Sequence, residues 1–176
     1  MSACSRHTKE RYDSMANNHA MPPPEMNRAA TPGAALVGDV LVSGRAHADR
    51  ILLEKPLSFW GGYDTNAGKI IDRTHPQQGE SLAGKVMVMA HAKGSSSSSS
   101  VLAEAIRNGT GPVGIVLRER DLIISIGSIV AAELYDIAVP VVCLNPSDFD
   151  RVVSSQGALR IEASEGIGGA RVYLAD

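Results

Sequence analysis

Aromatic residues make up only 4% of this 176-residue chain, and cysteine occurs just twice, at Cys4 and Cys143. So few aromatics cannot form a stacking platform for single strands, and no basic run or clustered Lys/Arg face is present to hold a phosphate backbone. Nucleic acid is therefore not an expected partner. Two thiols this far apart in sequence cannot hold an iron–sulfur cluster or a structural zinc, which need three or four ligands at short, patterned spacing. A metal taking part in the chemistry would have most of its ligands on another chain, and this chain is expected to have no metal site of its own. The same pair of cysteines argues against a disulfide and for a reducing, cytoplasmic setting.

Long apolar runs are missing as well. Leu122–Ile126 and Ala138–Leu144 are among the longest, and both stop well before the ~20 residues a bilayer span requires. The N-terminal segment carries Arg6, Lys9, Glu10, Arg11 and Asp13 with no apolar stretch behind them, so neither a secretory signal nor a membrane anchor is expected.

What is present is ordinary globular composition: 44% hydrophobic, 20% charged, formal net charge -2. The length suits one domain with a tail. Residues 1–33 are polar, include Pro22-Pro23-Pro24 and show no apolar periodicity, which predicts a disordered tail; the folded domain is expected over 34–176.

Within that domain, short apolar alternations are separated by Gly, Pro and Asp. Strands are predicted at Leu36–Ser43, Arg50–Leu53 and Lys69–Ile71, the last following a turn at Gly61-Gly62-Tyr63-Asp64. Gly84–Met89 is apolar on both faces, the mark of a central buried strand. Val101, Leu102, Ala105 and Ile106 fall at helical spacing, with Asn108-Gly109 as the stop. A strand at Val113–Leu117, a helix around Ile129, Val130, Glu133 and Leu134, and a strand at Pro140–Leu144 follow. Arg160–Ala163 and Ala170–Leu174 read as closing strands, and Gly166–Gly169 as a loop. The strand-helix-strand-helix-strand order implies right-handed crossovers and a largely parallel sheet in this half. The fold class is α/β: a β barrel or sandwich with two or three outer helices.

The run Ser95–Ser100 is the most unusual feature. Serine runs are commonly linkers, but this one follows a buried-type strand and leads into an amphipathic helix. A helix N-terminus presents unpaired N–H groups and the positive end of the dipole, and so attracts carboxylates and phosphates. A serine hydroxyl there can act as a base once its alkoxide is stabilised.

Four motifs occur in order: Phe59-Trp60-Gly61-Gly62-Tyr63-Asp64, Lys69-Ile70-Ile71-Asp72-Arg73-Thr74-His75-Pro76, Gly79-Glu80-Ser81-Leu82-Ala83-Gly84-Lys85 and Gly94-Ser95. Together they resemble the small subunit of aconitase X. The resemblance implies a swivelling β/β/α domain that closes over a large subunit in a heterodimer, with an iron–sulfur cluster held by that subunit. It implies Ser95 as the base, Gly94, Ser96 and Ser97 as substrate-binding positions, and a small hydroxy acid as substrate, cis-3-hydroxy-L-proline or phosphomevalonate. Ordinary aconitases have an arginine where Ser97 stands. Its loss removes a bidentate carboxylate clamp, which makes a citrate-like tricarboxylate a poor fit.

Other readings stay open at this stage. Any of Ser96–Ser100 competes with Ser95 for the role of base, and the domain can be a non-catalytic swivelling or scaffold module. His75 and His91 flank the region, and lone histidines more often serve structure than catalysis. Asp64 and Asp72 read as turn acids.

Overall fold

The computed structural model describes residues 35–164 and 169–175, so the tail expected at 1–33 and most of the Gly166–Gly169 loop lie outside the described residues. Two strands come first, β1 (Leu36–Val42) and β2 (Gly44–Leu53). A kinked turn, α1 (Phe59–Gly62), leads to the small hairpin of β3 (Tyr63–Asp64) and β4 (Lys69–Ile70). The second half runs β5 (Val86–Met89), α2 (Ser97–Arg107), β6 (Gly114–Leu117), α3 (Leu122–Tyr135), β7 (Val141–Leu144), α4 (Pro146–Ser154), β8 (Ala158–Ala163) and β9 (Ala170–Leu174).

Seven strands close into a barrel in the order β1-β7-β6-β5-β2-β8-β9, with β9 returning to β1. The choice between barrel and sandwich is thus resolved as a barrel. Neighbours β2, β5, β6 and β7 are parallel, as the alternation of strands and helices implies, and the other pairs are antiparallel.

The two-sided apolar pattern of β5 has a direct structural cause. Val86 and Val88 join Val116, Val142, Ile161 and Val172 in one cluster, while Met87 and Met89 join Ile115, Leu117, Leu102, Ile106 and Ile124 in the other, under α2 and α3. All four residues are buried, so the strand is covered on both faces.

Several expectations need correction. β2 begins at Gly44, six residues before the expected start at Arg50. Its first part alternates half-buried and exposed residues and carries little apolar signal, yet it pairs with β8 in register from Gly44↔Ala163 to Asp49↔Ala158. Tyr63 and Asp64 are strand rather than turn, and the reversal lies between them and Lys69, where the Asp64 carboxylate accepts from the Asn66 and Ala67 N–H groups. In α3 the buried face is Ile124, Ser125, Gly127, Ser128 and Ala131, leaving Ile129 and Leu134 exposed. A fourth helix, α4, was not expected; Asn145 caps it, accepting from the Asp148 N–H, with Pro146 in its first turn. Among the described residues no helix is long and apolar enough to cross a membrane.

Candidate active site

The parallel strands β2, β5, β6 and β7 all end at one rim, where ligands bind in sheets of this kind. The segment leaving β5 at that rim is Ala90-His91-Ala92-Lys93-Gly94-Ser95-Ser96, and four sets of interactions fix it. The Ala90 carbonyl accepts from the N–H groups of Arg118 (3.1 Å) and Glu119 (3.0 Å), just beyond β6. The Ala92 N–H donates to Asp121 Oδ2 at 3.0 Å, while Asp121 Oδ1 caps α3 by accepting from the Ile124 N–H at 3.0 Å. One carboxylate thus joins the start of α3 to the approach to the serine turn. The Lys93 N–H donates to the Leu57 carbonyl (3.4 Å), and Lys93 Nζ reaches Asp72 Oδ2 at 3.3 Å.

Gly94 then turns the chain at φ +112°, where an added Cβ would lie 2.6 Å from Ser58 Oγ and 3.1 Å from Ser98 Oγ. Only glycine fits this backbone without strain.

The serine run is divided by this geometry. Ser95 lies in the turn, Ser96 is the N-cap, and Ser97–Ser100 form the first turn of α2, so the run is mostly helix rather than an extended loop. Gly94, Ser95, Ser96 and Ser97 are exposed, whereas Ser98 and Ser99 are buried. The inward pair has structural partners. Ser99 Oγ donates to the Ile123 carbonyl of α3 at 2.9 Å, and Ser98 Oγ accepts from the Trp60 N–H at 3.2 Å. The Ser98 N–H donates to the Ser95 carbonyl (2.9 Å) and the Ser99 N–H to the Ser96 carbonyl (3.0 Å). Among the described residues, the N–H groups of Ser95, Ser96 and Ser97 have no hydrogen-bond partner. They lie at the positive end of an 11-residue helix with no acidic residue in its first turn. The four positions read from the sequence therefore share one exposed turn at the start of α2.

Asp72 and His75 make local structural contacts. The Asp72 carboxyl is lowered to about 2, chiefly by hydrogen bonds from the Thr74 hydroxyl and N–H, with Lys93 adding to the effect. His75 is buried, its Nε2 3.0 Å from the Lys55 carbonyl and its Nδ1 accepting from the Gln77 N–H. His91 Nδ1 stands 3.8 Å from Glu119 and makes no hydrogen bond to a described residue. Burial pushes the Cys143 thiol up.

An open groove of about 600 Å³ lies beside the first turns of α2, lined by Trp60, Tyr63, Asp64, Ser100, Val101 and Glu104 among others. A larger groove of about 860 Å³, between β1 and α3, includes none of the serine-turn residues.

Sequence reasoning missed Ser58 and Asp121 as supports of the turn. Asp121, three residues before the apolar Ile124, carries an N-cap signature. Ser58 carries no such signal, because its partner Ser98 is 40 residues away.

The sequence pattern of the aconitase X swivel domain matches residues 35–168. The chain is 41% identical over 109 residues to the cis-3-hydroxy-L-proline dehydratase of Pseudomonas aeruginosa, a match covering 62% of this chain and 19% of that protein. A second match, to the protein of the same name from Hypocrea jecorina, covers 20% of it, so the chain spans about a fifth of these relatives. It is 35% identical over 132 residues to the phosphomevalonate dehydratase small subunit of Thermococcus onnurineus, covering 75% of this chain and 95% of that one. The crystal structure of Thermococcus kodakaraensis aconitase X in its holo-form superposes with a TM-score of 0.65 at 29% identity, over 82% of this chain and 100% of that one.

Proposed function

Since this chain belongs to the aconitase X swivel domain family, we propose that it is the small subunit of an aconitase X type hydro-lyase, with Ser95 as the base that takes the substrate proton. One observation carries the proposal: Ser95 is exposed in a turn between a fully buried parallel strand and a helix, beside N–H groups that have no partner among the described residues. Those donors and the helix dipole stabilise the alkoxide, and the N–H groups of Ser96 and Ser97 hold the substrate carboxylate or the charge that develops on it.

Ser95, as alkoxide, removes the proton from the carbon beside the carboxylate and becomes a hydroxyl. The electron pair left behind forms the double bond as the neighbouring hydroxyl departs as hydroxide. That hydroxide takes up the proton held by Ser95 and leaves as water, which returns the serine to its alkoxide for the next turnover. For cis-3-hydroxy-L-proline the product is an enamine that tautomerises to a cyclic imine acid. Among the described residues no three His, Cys, Asp or Glu side chains gather into a metal site, so the described residues do not fit as holders of the iron–sulfur cluster. The cluster is assigned to a large subunit, the partner in a cytoplasmic heterodimer.

Cis-3-hydroxy-L-proline is the preferred substrate. The 41% identity to a dehydratase of that name supports it, as does the engagement of nearby cations with acids: Lys93 with Asp72, Arg118 with Asp150 and Arg120 with Asp39. Phosphomevalonate is the second reading, favoured by the 95% coverage of a small subunit named for it. Co-expression with the large subunit and assay of both compounds tests the proposal. Dehydration of cis-3-hydroxy-L-proline is expected, preference for phosphomevalonate would move the assignment to the second reading, and inactivity on both would leave the scaffold role.

A further inference from the structure

Ser98 stands where two chain segments meet. Its N–H donates to the Ser95 carbonyl at 2.9 Å, and its hydroxyl oxygen accepts from the Trp60 N–H at 3.2 Å. Ser58 Oγ donates to the Trp60 carbonyl at 3.0 Å and lies 3.4 Å from Ser98 Oγ, so the Ser98 hydroxyl proton is directed to Ser58. The result is a ring of hydrogen bonds: Ser98 to Ser58, Ser58 to the Trp60 carbonyl, and the Trp60 N–H back to Ser98. Gly94 closes beneath it, with space for a side chain removed by the same two hydroxyls. Ser98 is 1% exposed, while Trp60 is 64% exposed.

We propose that Ser98 is a positioning residue, which locks the Trp60 turn to the Ser95 turn and so sets the direction of the Ser95 hydroxyl. This rests on the reading of Ser95 as base. Ser99 provides the comparison. It is a buried serine in the same helical turn, but it bonds to α3 instead.

The test compares Ser98→Ala and Ser99→Ala in the full chain and in the complex with the large subunit. Ser98→Ala is expected to lower kcat by about tenfold to a hundredfold, the scale of a small misplacement of a reacting group, with KM held within about twofold, since substrate contacts are intact. Ser99→Ala is expected to lower the melting temperature and spare kcat. Trp60 is the only tryptophan, so its fluorescence anisotropy in the full chain reports the link without any assay of activity. The anisotropy is expected to fall in Ser98→Ala and to hold in Ser99→Ala. Should Ser98→Ala fail to fold, Ser58→Ala opens the same ring from a half-buried position and carries the same expectations. Unchanged kcat in Ser98→Ala, an equal loss in Ser99→Ala, or unchanged Trp60 anisotropy would overturn the proposal. Turnover surviving Ser95→Ala would instead remove the base assignment, and the anisotropy pair would still decide whether Ser98 joins the two turns.

Discussion

A serine hydroxyl is a weak base until its anion is stabilised, so the residues around Ser95 matter as much as Ser95 itself. Lys93, two residues earlier, is drawn aside by Asp72, whose carboxyl sits at about 2 instead of an ordinary 3.8. The fold favours the ionised form of Asp72. Its contribution to stability is therefore complete above the ordinary carboxylate range and is lost as the pH falls through about 2. Asp72→Asn is expected to melt at a lower temperature than the unsubstituted protein at pH 7, with the gap narrowing below about pH 4, where the unfolded carboxyl takes up its proton. A gap that stays constant down to pH 2 in thermal melts would show that the carboxylate charge contributes nothing. At this scale the sequence was informative where the signal was local. Gly94-Ser95 and the acids Asp64 and Asp72 could be read from their neighbours. Ser58 could not, because its role is created by a partner 40 residues away.

Between elements, the packing of α2 on α3 fixes the direction of the helix that begins at the serine turn. The two helices approach closely at Gly127 of α3, where a Cβ would meet the Ser99 carbonyl oxygen at 2.9 Å and Leu102 Cδ2 at 3.0 Å. Gly127→Ala is expected to cost about 1–3 kcal/mol, the usual penalty for overpacking. Chemical denaturation measures it, and a cost below about 0.5 kcal/mol would mean that the helices separate freely. The sequence revealed β5, β6 and β7 because a strand covered on both faces is apolar throughout. It concealed the start of β2, where Arg45, His47 and Asp49 are exposed and the alternating Ala46 and Ala48 give weak apolar signal. It placed the helix that became α3 but left its inner face open. Periodicity alone could not distinguish Ile129 and Leu134 from Ile124, since apolar residues occur around much of that helix.

Across the whole molecule, the barrel gathers the ends of four parallel strands at one rim and leaves the serine turn open to solvent there. The proposed base, in such a position, needs a facing surface to exclude water and hold the substrate. That requirement suits a small subunit closing over a larger one, and it separates catalysis from assembly. The most direct test is Ser95→Ala in the complex with the large subunit, measured for turnover, for co-purification of the two chains and for iron content. Turnover is expected to fall by at least about a hundredfold, at the lower end of what a positioned base contributes, with assembly and iron content unchanged. Turnover within a fewfold of the unsubstituted complex would contradict the assignment of Ser95 as the base.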